Sequence, residues 1–387
     1  MAALFMKIQV QSKNIPMLPG IDHLRALAAV LIVLYHGTQW LHREQRVRGH
    51  LPQIAWAVAK DPFSALIIEG HTAVALFMVL SGFIFAYGVG AHDVKYHLFL
   101  KNRFLRTYPL FLVLLVIGCC TFPHQVTLDR LALTVCLPAN FNALSLPVQP
   151  FSNMFWTLSV EWQFYLLFPF LIAFMRPKIV RNAAGLILLL LFGRWLACQV
   201  GGNPVTITYL TILGRLDQFL IGVVLGQTYT RLNQRALRWS LLPAAACVLG
   251  SLFFFNRVLG GWPNPVEWKL LWITWEGLMW GGFIVCYLAV AHRLPQRLAS
   301  AVAAVGTASY SIYLWHWPLV DVVARKGWYL PIVPNLHQNA FVNTVLLLLP
   351  FVLALSFLSY NLIERPFLRL RVRYLIAKDA EQPSQSS

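Results

Sequence analysis

Charge is scarce in this chain. Of 387 residues only 12% are charged and 58% are hydrophobic. A soluble domain is not built this way, because its surface needs charge. Acidic residues are the scarcer sign, 14 against 31 Lys and Arg, which leaves a formal net charge of +17. Cysteine is sparse as well. Cys119, Cys120, Cys136, Cys198, Cys247 and Cys286 lie in or beside apolar segments and form no CxxC pair, so they read as small buried hydrophobes. No GxSxG elbow, P-loop or HExxH is present, and the histidines are scattered one per segment. Serine-hydrolase, nucleotide-hydrolase and metal sites therefore have no motif to rest on. No internal repeat and no large soluble domain is visible.

What fills the chain is continuous apolar runs of about twenty residues, the length that spans a bilayer as a helix. A β-barrel would show ten-residue alternations instead. The reading is an all-α polytopic membrane protein with about ten transmembrane helices. They are expected at Ile21–Trp40, Ser64–Val89, Thr107–Phe122, Ser152–Met175, Ala183–Val200, Val205–Tyr229, Trp239–Phe255, Lys269–Ala291, Gly306–Val323 and Phe341–Tyr360. Leu128–Leu137 is too short to span and reads as a re-entrant or interfacial helix leading into "LPANFNALSLPVQP". With both termini cytoplasmic, nineteen Lys and Arg fall inside and nine outside, as the positive-inside rule requires. Arg43, Arg46 and Arg48 dissent. The basic residues lie in short loops, with no basic-aromatic platform for a nucleic-acid strand, so the partner is the lipid bilayer and not nucleic acid. The first helix is interrupted by Asp22 and Arg25 and is expected to be retained, not cleaved as a signal peptide. Residues 1–375 are expected to form one transmembrane domain and 376–387 a disordered cytoplasmic tail.

Ionisable groups inside a membrane are costly and point to function. Arg25 and His36 are eleven residues apart, almost three helical turns, so they share one face about 16 Å apart along the axis. That stripe suits a long ligand with an anionic head at Arg25 and a reactive tip at His36, the candidate general base. The plainer alternatives are an arginine snorkelling to headgroups or paired with Asp22, and a histidine bonded to a neighbouring helix. "FWTLSVEWQFYLLFP" carries Glu161, which either orients His36 or ties helices together. "SYSIYLWHWPLV" carries His316 on a polar stripe with Ser309 and Tyr313. Pro318 cannot donate to the carbonyl of Leu314, so a kink is expected beside His316. Arg103 and Arg106 in "KNRFLRTYP" form an i, i+3 pair able to grip phosphates bidentately; topology alone also explains them. Arg215 and Asp217, at i, i+2, cannot face each other and each needs its own partner. Ser81 and Gly82 are expected to allow close helix packing.

These motifs, with "LFMVLSGF", "GRLDQFLIG" and "YNLIERPF", occur in an order that resembles the acyltransferase type 3 family of integral-membrane O-acyltransferases over nearly the whole chain. Ala75 and Met78 depart from it, since relatives often carry a polar residue and a second Phe there. The resemblance implies acetyl-CoA or another acyl-CoA as cytoplasmic donor, with no metal. The acceptor would be a hydroxyl of a glycan, a lipid-linked saccharide or a secondary metabolite, and the home a bacterial cytoplasmic (inner) membrane. The chain stops soon after "ERPF", so the stand-alone form is expected. In that reading Arg25, Arg103 and Arg106 bind the donor, and His36, Glu161 and His316 are catalytic. The rival from another class is a proton-coupled transporter or flippase using the same Glu, His and Arg groups. The missing internal repeat counts against it.

Overall fold

A computed structural model describes residues 13–14, 18–52, 56–136 and 146–376. Most of the loop after Leu128–Leu137, and the tail from residue 377, lie outside the described residues.

Helices make up nearly all of it: α1 (Pro19–Arg48), α2 (Pro62–Ile68), α3 (Ala73–Val89), α4 (Tyr96–Thr121), α5 (Leu128–Val135), α6 (Phe155–Met175), α7 (Ile179–Gln199), α8 (Pro204–Leu210), α9 (Ile212–Thr228), α10 (Gln234–Trp239), α11 (Leu241–Arg257), α12 (Lys269–Leu288), α13 (Gln296–Thr307), α14 (Ser309–Lys326), α15 (Leu336–Asn343), α16 (Leu349–Ser359) and α17 (Arg365–Arg369). The last three run on through π turns at Thr344–Leu348 and Tyr360–Glu364. Among the described residues, six stretches are long and apolar enough to cross a membrane, or up to eight if each of two bent pairs is one span. The protein is an all-α polytopic membrane protein. One of the six, Phe155–Gln199, holds both α6 and α7. Lys178 breaks it with φ −145° and ψ 66°, outside the helical region.

Local chemistry explains where expectation and structure part. The second expected span is split. Asp61 caps α2 by accepting from the Phe63 and Ser64 backbone N–H groups, with Pro62 in its first turn, a favoured start. α2 then stops at Glu69 and a 3₁₀ turn, Gly70–Thr72, leads into α3. The first helix outruns its expected end by eight residues, so Arg43, Arg46 and Arg48 sit on its last turns. α14 continues through Pro318, and the sharp bend, 62°, lies ahead of it between α13 and α14. There Gly306 lets α13 touch the α1 backbone: a Cβ would stand 1.7 Å from the Asp22 carbonyl oxygen.

Two devices hold the bundle around the site. α3 and α9 meet backbone to backbone, since a Cβ on Gly82 would stand 2.1 Å from the Phe219 carbonyl oxygen and one on Gly222 2.0 Å from that of Val79. Small residues drive such contacts where lipid removes the hydrophobic incentive. The second device is a buried polar network. Arg194 pairs with Asp217 at 2.9 Å and Arg215 with Glu276 at 3.5 Å, so Arg215 and Asp217 each find their own partner on another helix.

Candidate active site

Helices α1, α3, α4, α6 and α14 enclose a cavity of about 490 Å³. Arg25, Arg103, Arg106 and Arg371 line it, with Asp22 and Glu161 as its carboxylates. Each arginine is held differently. Arg25 pairs with Asp22 at 2.7 Å, one turn away on α1. Arg106 pairs with buried Glu364 at 2.8 Å, and Ser311 donates to the same carboxylate. Arg103 is buried against the Phe85 ring, 4.7 Å from its centroid, and its Nε has no hydrogen-bond partner among the described residues.

Arg371 is placed by the chain around it. The Asn102 side chain clamps Val372, donating to its carbonyl at 2.7 Å and accepting from its N–H at 2.9 Å. Asp93–Val94 and Leu375–Ile376 then pair as a two-stranded antiparallel sheet. Burial pushes the Arg371 guanidinium down to about 10, and neighbouring Arg103, Arg106 and Arg25 push the same way. It stays charged at neutral pH but stands in a crowd of like charge. Guanidinium groups converging on one cavity match a polyphosphate head, which takes bidentate donors and relieves their repulsion.

His36 lines a second, smaller cavity of about 150 Å³. Val74 and Tyr313 line both cavities, so the two adjoin. His36 Nδ1 lies 3.0 Å from Nε2 of His316, and His316 Nδ1 lies 2.6 Å from the Tyr313 carbonyl oxygen. That chain assigns the tautomers. A carbonyl only accepts, so His316 Nδ1 carries the proton and its Nε2, in the neutral ring, is an acceptor. His36 Nδ1 must then donate, which leaves the lone pair of the His36 ring on Nε2. The ring centroids lie 5.1 Å apart with their planes within 20°, too close for both rings to be cationic at once. The arrangement leaves a lone pair on His36 Nε2, able to accept a proton, with the tautomer held by a fully buried partner.

The structure thus gathers Arg25, Arg103, Arg106 and Glu161 in one cavity and joins His36 to His316. It does not join Glu161 to His36. Glu161 accepts from Ser81 Oγ at 3.3 Å and shares the larger cavity with Arg103 and Arg106. Of the two expected roles, the Ser81 bond fits a tie between helices, and α6 turns Thr157, Leu158, Glu161 and Tyr165 together towards the arginines. His316 takes the orienting place. Sequence reasoning missed two residues. Arg371 sat among basic residues assigned to topology, and Glu364 was visible only as part of "YNLIERPF".

Comparison with known proteins identifies the family. The profile of the acyltransferase 3 family, described as an acyltransferase domain, matches residues 18–361. "O-acetyltransferase OatA" of Staphylococcus aureus (strain NCTC 8325 / PS 47) is 24% identical over 79% of this chain and 51% of its own length. "Peptidoglycan O-acetyltransferase OatA" of Listeria monocytogenes is 24% identical over 90% of this chain and 55% of its own. "Exopolysaccharide production protein ExoZ" of Rhizobium meliloti is 26% identical over 78% and 90%. The chain spans about half the length of the two OatA relatives. No solved structure matches. With the family match running from the arginine end of α1 to the start of the last π turn, this chain belongs to the acyltransferase 3 family.

Proposed function

We propose that the protein is an O-acyltransferase, an O-acetyltransferase in the first instance, that moves an acyl group from cytoplasmic acyl-CoA to a hydroxyl of a glycan or related acceptor. The observation that carries this reading is the junction at Val74 and Tyr313 between an arginine-walled cavity and a cavity holding an oriented histidine. Arg25, Arg103, Arg106 and Arg371 would hold the phosphates and adenosine head of the donor. Glu364 would fix Arg106, and Glu161 would keep the arginine pair in register. His36 takes the proton of the acceptor hydroxyl, and His316 holds the His36 tautomer. The names of the relatives, two O-acetyltransferases and an exopolysaccharide production protein, support a glycan acceptor.

Ten crossings with both termini in the cytoplasm of a bacterial inner membrane fit this reading. The excess of Lys and Arg on the inner side of that arrangement supports it. So does Phe155–Gln199, which has length for two crossings at about 20 residues each. The arginine cavity then faces the cytoplasm, where acyl-CoA is made.

The test is donor binding and acyl transfer by the purified full chain and two variants, each checked for folding by thermal melting. His36→Ala should keep acetyl-CoA affinity and lose roughly 10²–10⁴ of the transfer rate, the usual contribution of a positioned base. Arg25→Ala should weaken donor binding first. Transfer at the wild-type rate by folded His36→Ala would refute the assignment. Mass spectrometry of surface glycans from cells with and without the gene would then give acceptor and acyl group together.

A further inference from the structure

The smaller cavity differs from the larger in kind, not only in size. Tyr35, Trp156, Tyr209, Trp262 and Tyr313 surround the His36 edge, and among the described residues no Lys, Arg, Asp or Glu lines it. Trp156 and Trp262 are half-buried, so its wall reaches the surface. Its volume is below the range of drug-sized pockets, about 300–1,000 Å³, and suits a single ring.

A stiff buried frame sets this wall. Glu69 is fully buried and accepts from Trp56 Nε1 and Asn256 Nδ2, each at 2.7 Å, and from His71 Nε2 at 2.9 Å. Gly261, at φ +65°, presses the loop after α11 onto that carboxylate: a Cβ there would stand 2.6 Å from Glu69 Oε1. The next residue is Trp262, whose ring packs 4.0 Å from that of Tyr209 and 5.1 Å from that of His71. The charges of this frame are spent on holding the wall from behind.

We infer that the smaller cavity is the acceptor subsite for one electrically neutral sugar ring, and that it discriminates against acidic and amino sugars. The inference rests on the acyl-transfer reading. Apolar C–H faces of a pyranose stack on the aromatic rings, while one hydroxyl meets His36 Nε2. A carboxylate or ammonium on the ring would lose water there and meet no charged side chain in the wall, since Arg215 and Lys269 lie behind the Tyr209 and Trp262 rings, which is costly. In the reaction, the sugar oxygen forms a bond to the thioester carbonyl carbon as the C–S bond breaks. The hydroxyl proton passes to His36 Nε2 and then to the departing thiolate, giving an ester and CoA.

The experiment follows CoA release from acetyl-CoA by the full chain in nanodiscs, with methyl glucoside, methyl galactoside, methyl glucuronide and methyl glucosaminide at pH 7. The neutral glycosides should exceed both charged ones by at least roughly tenfold in kcat/KM, as expected where a site cannot satisfy a buried polar group. Trp262→Ala should raise KM for the neutral glycoside while the Kd for acetyl-CoA stays, and Trp262→Phe should restore much of it. Equal use of charged and neutral glycosides overturns the inference, and so does an unchanged glycoside KM in Trp262→Ala. Acetyl-CoA hydrolysis that none of the four glycosides accelerates overturns it too, since water then reaches His36 and no sugar does. If Trp262→Ala does not fold, the wild-type glycoside ratios decide alone. No CoA release under any condition refutes acyl transfer itself, and the subsite falls with it.

Discussion

His316→Ala is the sharpest perturbation of the site, because it leaves the base in place and removes the side chain that holds its tautomer, with only the Ile32 carbonyl left beside the ring. In the wild type His36 Nδ1 donates to His316 Nε2 at 3.0 Å, a buried bond between neutral groups. A typical bond of that kind contributes about 1 kcal/mol net, and leaving the donor unsatisfied costs about 1–3 kcal/mol. Without its acceptor the His36 ring can place its proton on Nε2 and present no lone pair to the acceptor hydroxyl. At about 1.4 kcal/mol per factor of ten, kcat should fall roughly 5- to 100-fold. His36→Ala, which removes the base, should fall further, by about 10²–10⁴.

His316→Gln makes the argument specific. Its amide oxygen can accept from His36 Nδ1 while its NH₂ can donate to the Tyr313 carbonyl, so it should recover part of the kcat that Ala loses. The assay is CoA release with saturating acetyl-CoA, alongside donor binding, which should be unaltered in both variants because the arginines lie on the other side of Val74 and Tyr313. A loss in His316→Ala as deep as in His36→Ala would put His316 in the transfer step itself. No loss, or no difference between Ala and Gln, would refute the tautomer argument.

Three further outcomes follow from the geometry. Arg103→Lys combined with Arg106→Lys keeps the charge but loses the forked donors; acetyl-CoA binding, measured by calorimetry, should weaken in protein that still inserts normally. Arg371→Ala removes one charge-assisted donor, worth about 1.5–3 kcal/mol, and should raise the donor Kd roughly 10- to 100-fold, with dephospho-CoA and CoA titrations reporting which phosphate is lost. Val74→Trp narrows the passage shared by the two cavities; donor binding should survive while transfer falls, and unimpaired transfer would show that the acyl chain takes another route.

How much of this was legible depends on the range over which each feature is determined. Arg25 and His36 lie on one helix, where spacing fixes facing, so their shared stripe could be read directly. Gly82 and the separate partners of Arg215 and Asp217 could be read too, because close packing and the i, i+2 rule are local arguments. His316 could be singled out by its stripe with Ser309 and Tyr313, but not assigned to His36, 280 residues away. Glu161 could be singled out as an intramembrane carboxylate, but helix spacing does not say which neighbour its face meets, and α6 turns it towards Ser81 and the arginines. Pro318 announced a kink by its missing donor, yet the sharp bend lies before α14, where Gly306 meets the Asp22 carbonyl.

Arg371 was the hardest to see, since its position comes from tertiary contacts alone. Its neighbour Val372 is clamped by Asn102, on α4 beside Arg103, and the short sheet with Asp93–Val94 closes the same corner. Sequence reasoning counted Arg103 and Arg371 on one side of the membrane for topology. The fold spends that same bias a second time. The positive charge assigned to topology is also gathered, by Asn102 and Glu364, into one cavity wall. In the proposed reading topology and donor binding are therefore coupled: a substitution that neutralises Arg103 or Arg371 should disturb both, whereas Asn102→Ala leaves every charge in place and should weaken donor binding alone.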